Sequence, residues 1–144
     1  MDDKLLSHIR LLYKYIEILE KISNTSFDEY EKDDILKGAI ERYLQVAIET
    51  CLNIGSRIIS LEQFKNNINL PETYADIFRI LSEINVIDKD FAKNLSNMAK
   101  FRNRLVHMYW EIDDRLIYDI VKNNLVDLKK FIEMVIKYID NKNN

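Results

Sequence analysis

At 144 residues, with 47% hydrophobic residues, two glycines and one proline, the chain is long enough to bury a core and favours long uninterrupted helices. Its formal net charge of −3 excludes a protein that coats nucleic acid nonspecifically, although a local basic cluster can still hold a few phosphates. A single cysteine excludes an internal disulfide, and we find neither a cationic leader nor an apolar run of about 18 residues. We therefore expect a cytoplasmic all-α protein of one domain, residues 1–144, without a membrane span.

The N-terminal half predicts two helices. Apolar residues at steps of three and four predict a first amphipathic helix from Asp3 to about Ser23. Ser26, three residues before Glu29, predicts a capping box at the start of a second helix. Apolar pairs at a spacing of mostly four, from Ile35 to Ile59, make this second helix long. Each step of four rotates the apolar patch by about 40°, so several neighbours must cover it and the helix should be central.

A polar stripe follows the same helix, within about 80° of arc. One interpretation is a hydrogen-bond network that fixes packing, and the other is support for a functional site from behind. We prefer the first. The stripe consists of Arg42, Gln45, Glu49 and Asn53.

The C-terminal half predicts three more helices, and so a bundle of about five. A connector over Leu61–Leu70 precedes Pro71, which suits the first turn of a short third helix. Asp88 is a predicted cap for a fourth helix, and Asp113 for a last one with a heptad seam. Asn124 is the polar position of that seam, where it is expected to set register.

The end of the predicted fourth helix, FRNRLVHMYW from Phe101 to Trp110, concentrates chemistry that the rest of the chain lacks. His107, one of two histidines, comes five residues after Arg102. This is also the most basic helical segment of an acidic chain. Its polar residues are Lys100, Arg102, Asn103, Arg104, His107 and Tyr109.

Other catalytic chemistries find little support. Neither His8 nor His107 follows a glutamate by three residues, as the di-iron sites of helical bundles require, so no metal is expected. Cys51 lies in an apolar stripe without a neighbouring histidine, and no glycine-rich phosphate loop exists. No cofactor is predicted, and acid/base catalysis by His107 remains.

An imidazole can take a proton from a ribose 2′-hydroxyl or give one to a leaving oxygen, and a nearby arginine can stabilise phosphate charge. The alternative is a solvated basic helix end whose histidine favours the helix dipole. On a regular helix Arg102 and His107 lie about 140° apart, whereas Asn103 and His107 share a face. A complete site then requires a helix that ends or distorts before His107, or a symmetric dimer in which a second copy supplies the missing side.

Three segments resemble one known family: LKGAIERYLQVAIETCLNIGSRII, PETYADIFRILSEINVI and FRNRLVHMYWEIDDRLIYDIV. Together they are similar to the HepT-type toxins of the HEPN domain group, with their Arg-x4-His-x-Tyr motif, from Asp34 to about Phe131. The resemblance implies a HEPN-type helical homodimer that cleaves RNA without metal as the toxin of a prokaryotic toxin–antitoxin pair.

Within this resemblance Arg102 and His107 match the catalytic pair, and Asn103 matches the polar residue after the arginine. The 2′-hydroxyl is the implied nucleophile, which leaves a 2′,3′-cyclic phosphate, and Lys100 and Arg104 are expected to contact RNA. Tyr109 matches a tyrosine that a minimal nucleotidyltransferase (MntA-like) antitoxin adenylylates; added negative charge there would block RNA. Its alternative role is packing beside Trp110. The sequence departs from the family at Asn53, where many relatives carry an acid.

A second function remains open. Members of this fold group also include noncatalytic partners that hold substrate or nucleotide for a nucleotidyltransferase subunit. The presence of Arg102, Asn103 and His107 together favours the enzyme.

Overall fold

The structure, a computed structural model, describes residues 2–143 apart from the side chain of Tyr109. Over these residues the chain forms seven α-helices and one 3-10 turn, with no strand, which confirms the predicted all-α bundle. No helix in this part of the chain is both long and apolar enough to cross a membrane. The helices are α1 Asp3–Ser23, α2 Phe27–Lys32, α3 Asp34–Glu62, α4 Tyr74–Glu83, α5 Lys89–His107, α6 Asp114–Asn123 and α7 Leu125–Asn143, with the 3-10 turn at Tyr109–Glu111.

Short polar side chains fix most helix starts by accepting a backbone N–H of the first turn. Asp88 accepts the N–H of Phe91 at 2.7 Å, and Asp113 accepts the N–H of Arg115 at 2.9 Å, so both predicted caps are confirmed. The third predicted helix begins later than expected, at Tyr74 and not at Pro71. Its start is set by a capping box of Thr73 and Asp76.

The long helix is the third, not the second, because α2 and α3 are separate. Ser26 does accept the N–H of Glu29, at 3.2 Å, but the helix it caps ends at Lys32. Asp33 then takes an extended conformation, φ −109° and ψ 97°, and caps α3 through the N–H of Leu36. A short capping aspartate thus restarts the helix inside a segment whose apolar spacing predicts continuity.

The predicted last helix is likewise divided. Asn124 adopts φ −111° and ψ 0° at the end of α6, and α7 begins at Leu125. The side-chain amide of Asn124 donates to Asp127 at 3.4 Å. Asn124 therefore marks a helix break, and the predicted register role in a continuous heptad seam is wrong.

Helix α3 is central, as the rotating apolar stripe predicts, because it contacts α1, α2, α4, α5 and α6. Its buried residues range from Ile40 to Glu62 and include the thiol of Cys51. Elsewhere the rings of Phe78 and Phe131 meet edge to face, with centroids 5.9 Å apart. Fully burying each aliphatic or aromatic side chain of this core contributes about 1.5–3 kcal/mol.

Helices α3 and α4 lie close together at Gly55. A Cβ there would lie 2.5 Å from Cγ2 of Ile77 and 3.1 Å from Cδ1 of Leu81. Gly55→Ala is therefore expected to destabilise the protein by about 1–3 kcal/mol through overpacking. Gly38→Ala on the same helix has no neighbour within 4 Å and should stabilise by up to about 1 kcal/mol. Urea unfolding of both variants measures the difference, and a stabilising Gly55→Ala would contradict this packing.

Candidate active site

Helix α5 remains regular through His107, its last residue. Met108 follows as the C-cap and donates its N–H to the carbonyl of Arg104 at 2.8 Å. Arg102 and His107 are therefore separated by about 140° around the axis and about 7.5 Å along it. The helix therefore neither ends nor distorts before His107, so the first of the two ways to complete the site does not occur.

Arg102 lies between α5 and α3, with only 15% of its side chain exposed. Its Nε and Nη2 donate to Oε1 of Glu49 at 2.9 and 2.5 Å, and its Nη1 donates to Oδ1 of Asn103 at 3.0 Å. Gln45 donates to the same Glu49 oxygen at 3.0 Å. Three of five guanidinium N–H donors are thus engaged, which leaves two for an anionic ligand.

The pKa of the Glu49 carboxyl is lowered in this environment. Burial by itself raises this pKa, but the hydrogen bonds from Gln45 and Arg102, with the charges of Arg102 and Arg42, outweigh burial. Glu49 is consequently a carboxylate at neutral pH. It holds the Arg102 guanidinium in one orientation through two charge-assisted hydrogen bonds.

Tyr74 is a neighbour of the site that the sequence does not single out. It is the first residue of α4, and the Cζ of Arg102 lies 5.4 Å from its ring centroid. Its side chain is half-exposed, so the ring covers one face of the guanidinium at the protein surface. No spacing rule links positions 74 and 102, because the contact depends on how α4 and α5 pack.

The polar stripe of α3 divides into two parts. Gln45 and Glu49 form a hydrogen-bond network with Arg102 that joins α3 to α5, as the preferred interpretation predicts, and this network also lies behind a candidate site residue, as the alternative requires. Arg42 is exposed one turn earlier, at a small groove that α3 shares with Val106 of α5. Asn53 is exposed one turn later.

The remaining basic residues of the motif lie on the outward face of α5. Lys100, Arg104 and His107 are exposed, and their positions fall within about 60° of arc. Asn103 is half-buried between this face and Arg102. The structure thus joins Arg102, Asn103 and Glu49, and leaves the imidazole on a neighbouring surface.

Two further sequence predictions concern Tyr109 and metals. The side chain of Tyr109 is outside the described residues, and its backbone begins the 3-10 turn after α5. Among the residues that are described, no group of three or more His, Cys, Asp or Glu side chains is arranged to hold a metal ion.

The chain is similar in sequence to proteins described as ribonucleases. Residues 12–135 match the family model described as ribonuclease HepT-like. The mRNA nuclease HepT of Shewanella oneidensis is 24% identical over 135 residues, which cover 94% of this chain and 98% of that protein. The tRNA nuclease HepT of Aphanizomenon flos-aquae is 25% identical over 134 residues, which cover 92% of this chain and 88% of that protein.

The fold has a counterpart among solved structures. A structure of a tri-AMPylated Shewanella oneidensis HEPN toxin in complex with MNT antitoxin superposes with a TM-score of 0.84. That match is 24% identical in sequence and covers 94% of this chain and 98% of the toxin chain.

Proposed function

The chain belongs to the HepT-like ribonuclease family, and from this premise we propose that it is the toxin of a prokaryotic toxin–antitoxin pair, a metal-independent endoribonuclease. One observation carries the proposal. A guanidinium held by Glu49 and Asn103, with two N–H donors left over, lies on the same helix as an exposed imidazole. These are the two groups that RNA cleavage through the 2′-hydroxyl requires.

In the proposed reaction the ribose 2′-oxygen attacks the adjacent phosphorus, and the bond from phosphorus to the 5′-oxygen breaks. His107 handles the proton transfer between the 2′-hydroxyl and the departing 5′-oxygen. Arg102 binds the phosphate oxygens and stabilises the negative charge that grows on them. The products are a 2′,3′-cyclic phosphate and a 5′-hydroxyl.

Glu49 positions Arg102 in this mechanism and does not touch RNA. A preorganised guanidinium stabilises developing charge without having to reorient during the reaction. The ionised state of Glu49 at neutral pH supports this role, because a neutral carboxyl would hold the Arg102 guanidinium more weakly.

The function is tested by incubating the purified, unmodified chain with total cellular RNA and with a tRNA pool in the presence of a metal chelator. We expect cleavage that survives chelation and leaves cyclic-phosphate ends, because the imidazole and guanidinium need no metal. Intact RNA from a dimeric, unmodified protein would instead favour the noncatalytic partner of a nucleotidyltransferase. Cleavage lost on chelation would remove the metal-independent mechanism.

The proposed active form is a symmetric homodimer. Arg102 and His107 point in directions about 140° apart on an undistorted helix, so a single chain offers each group to a different side. A two-fold axis close to α5 would bring Arg102 of one subunit opposite the imidazole of the other. Light scattering at micromolar concentration should accordingly give the mass of a dimer.

Mixed dimers test whether the site is shared between subunits. Arg102→Ala and His107→Ala, each tested alone, should cleave RNA at least about 100-fold more slowly than wild type. After the two are unfolded and refolded together, half of the chains pair as mixed dimers, each with one intact shared site, so about one quarter of wild-type activity should return. A site contained within one chain would give no recovery, and the refolded mixture of wild type with itself is the control.

The proposed regulatory partner is an MntA-like nucleotidyltransferase antitoxin that adenylylates Tyr109. The position of Tyr109, two residues after His107, supports this proposal, since an added nucleotide would occupy the path of RNA to the imidazole. Lys100 and Arg104 beside His107 would contact RNA phosphates in the unmodified form.

A further inference from the structure

Tyr74, the first residue of α4, is an aromatic side chain at the protein surface. In the described part of the chain it is not among the side chains that form the hydrophobic core or pack against it, and it is 48% exposed. The Cζ of Arg102 lies 5.4 Å from its ring centroid. The ring thus combines an open apolar surface with a direct contact to the candidate phosphate-binding residue.

The packing of α4 against α5 places Tyr74 near the C-terminal part of α5. Residues 84–88 join the two helices, which pack together and therefore run antiparallel. The hydroxyl of Ser96 donates to the carbonyl of Ala75 at 3.4 Å, which fixes the start of α4 beside this part of α5. Because α4 begins at Tyr74, this residue is the part of α4 nearest to the end of α5.

The candidate imidazole lies on the side of α5 that faces α4. Ser96 faces α4, and His107 follows it by eleven residues, which is about 20° around the axis of a regular helix and about 17 Å along it. Between them on this side lies Asn103, half-buried beside Arg102. Tyr74 and His107 therefore border the same side of α5, with the guanidinium of Arg102 in contact with the ring.

The free donors of Arg102 are next to this ring. After its bonds to Glu49 and Asn103, the guanidinium keeps one N–H on Nη1 and one on Nη2. A phosphate bound by these two donors would bring its own nucleoside within reach of Tyr74. The exposed surface of the ring is apolar, as the face of an unpaired nucleobase is, so the two surfaces can stack.

We propose that Tyr74 is a base-binding residue, on which an unpaired nucleobase next to the scissile phosphate stacks. This inference rests on the proposed ribonuclease function and deepens it, because it assigns the residue that takes the base. Stacking on an aromatic ring tolerates every base, since each has a π-face, but a base that is paired in a duplex is not available for it. Cleavage should accordingly occur at unpaired positions and depend only weakly on base identity.

The alternative role of Tyr74 is to support Arg102 through the cation–π contact alone. The two roles differ in what the ligand must contain. Support of Arg102 would change the binding of any phosphate at this residue, whether or not the strand carries bases. Stacking changes the binding only of a strand that carries bases, so a base-bearing strand and an abasic strand with the same phosphates separate the two roles.

The test uses Tyr74→Leu, which removes the ring but keeps an apolar side chain, and Tyr74→Phe, which keeps the ring. Tyr13→Leu is the matched control, because Tyr13 is 46% exposed but lies on α1. The probes are fluorescent strands of about 12 nucleotides, a length within the site sizes of single-strand binding proteins. One is 2′-O-methyl oligo(5-iodouridine) and the other is its abasic counterpart. Neither has a free 2′-hydroxyl, so neither can be cleaved, and fluorescence anisotropy with the full chain measures binding.

We expect Tyr74→Leu to bind the base-bearing strand about 5- to 150-fold more weakly than wild type, the usual effect of removing one stack between a base and an aromatic side chain. Its affinity for the abasic strand should not change. Tyr74→Phe and Tyr13→Leu should bind both strands as wild type does. Irradiation of the wild-type complex should cross-link the iodouracil strand to Tyr74, because the photolysed base reacts with an aromatic ring in contact with it, and mass spectrometry of the peptides locates the linkage.

Equal losses on the two strands would assign Tyr74 to support of Arg102 and overturn the proposal. So would unchanged binding of the base-bearing strand by Tyr74→Leu, an equal loss in Tyr13→Leu, cross-links only at other residues, or a wild-type protein that binds neither strand. Because the probes cannot be cleaved, these results are separate from a failure of the nuclease function. A protein that stacks a base on Tyr74 but leaves cleavable RNA intact would refute the enzyme and retain the base site.

Discussion

His107→Ala is expected to slow RNA cleavage severely while the protein stays folded. General acid–base catalysis contributes about 10²–10⁴-fold to a rate, and among the described residues the only other histidine, His8, lies on α1. Since His107 is exposed at the end of α5, its truncation should change the free energy of unfolding by less than about 0.5 kcal/mol. Single-turnover cleavage of an RNA substrate, paired with urea unfolding, measures both quantities.

His8→Ala is the matched control for this variant, because it removes the same side chain from a helix that does not carry the motif. It should retain full cleavage. An active His107→Ala protein would show that another group transfers the proton. A loss of activity accompanied by unfolding would show that the imidazole has a structural role that the contacts of α5 do not reveal.

Arg102→Ala should lower cleavage by about 10²–10³-fold, the usual cost of removing one group that stabilises developing charge. Unlike His107→Ala, it should also destabilise the fold, by about 1–3 kcal/mol, because Glu49 loses two charge-assisted hydrogen bonds in a half-buried position. Arg102→Lys should recover little activity, since an ammonium cannot reproduce the planar fork that Glu49 and Asn103 orient.

The stability loss of Arg102→Ala should depend on pH. The pKa of Glu49 is lowered from 4.5 in the folded protein, so the stabilisation from its ionised form is complete above about pH 4.5 and is lost as the pH falls through the folded value. The difference in the free energy of unfolding between wild type and Arg102→Ala should therefore become smaller below pH 4.5. Urea unfolding at neutral and acid pH measures it.

Arg79→Ala is the control for this effect, because Arg79 also pairs with a glutamate, at 2.7 Å, but on an exposed surface. Arg79→Ala should lower the free energy of unfolding by less than about 1 kcal/mol and leave RNA cleavage unchanged. Glu49→Gln should resemble Arg102→Ala in direction but with smaller losses, as the amide oxygen can still accept one of the two bonds. Full activity in Glu49→Gln would argue against a positioning role for this carboxylate.

The sequence by itself determined the helical class, most helix boundaries and the residues of the motif. These are local properties. The step of three and four in α1, the aspartate caps of α5 and α6, and the order of residues from Arg102 to Tyr109 all act within one or two helical turns. Where two local signals conflicted, the sequence was misleading: apolar spacing predicts continuity across Asp33 and Asn124, yet the capping geometry of these side chains ends one helix and begins the next.

Only the tertiary structure decided what surrounds the motif. Glu49 and Tyr74 reach Arg102 from 53 and 28 positions away, through the packing of α3 and α4 against α5. From sequence alone, a packing network was the preferred interpretation of the stripe containing Glu49, and the half-exposed Tyr74 carried no polar signal. The reason is physical: a helix period assigns a side chain to a face, but the partner of that face depends on how helices far apart in the chain cross in the folded protein.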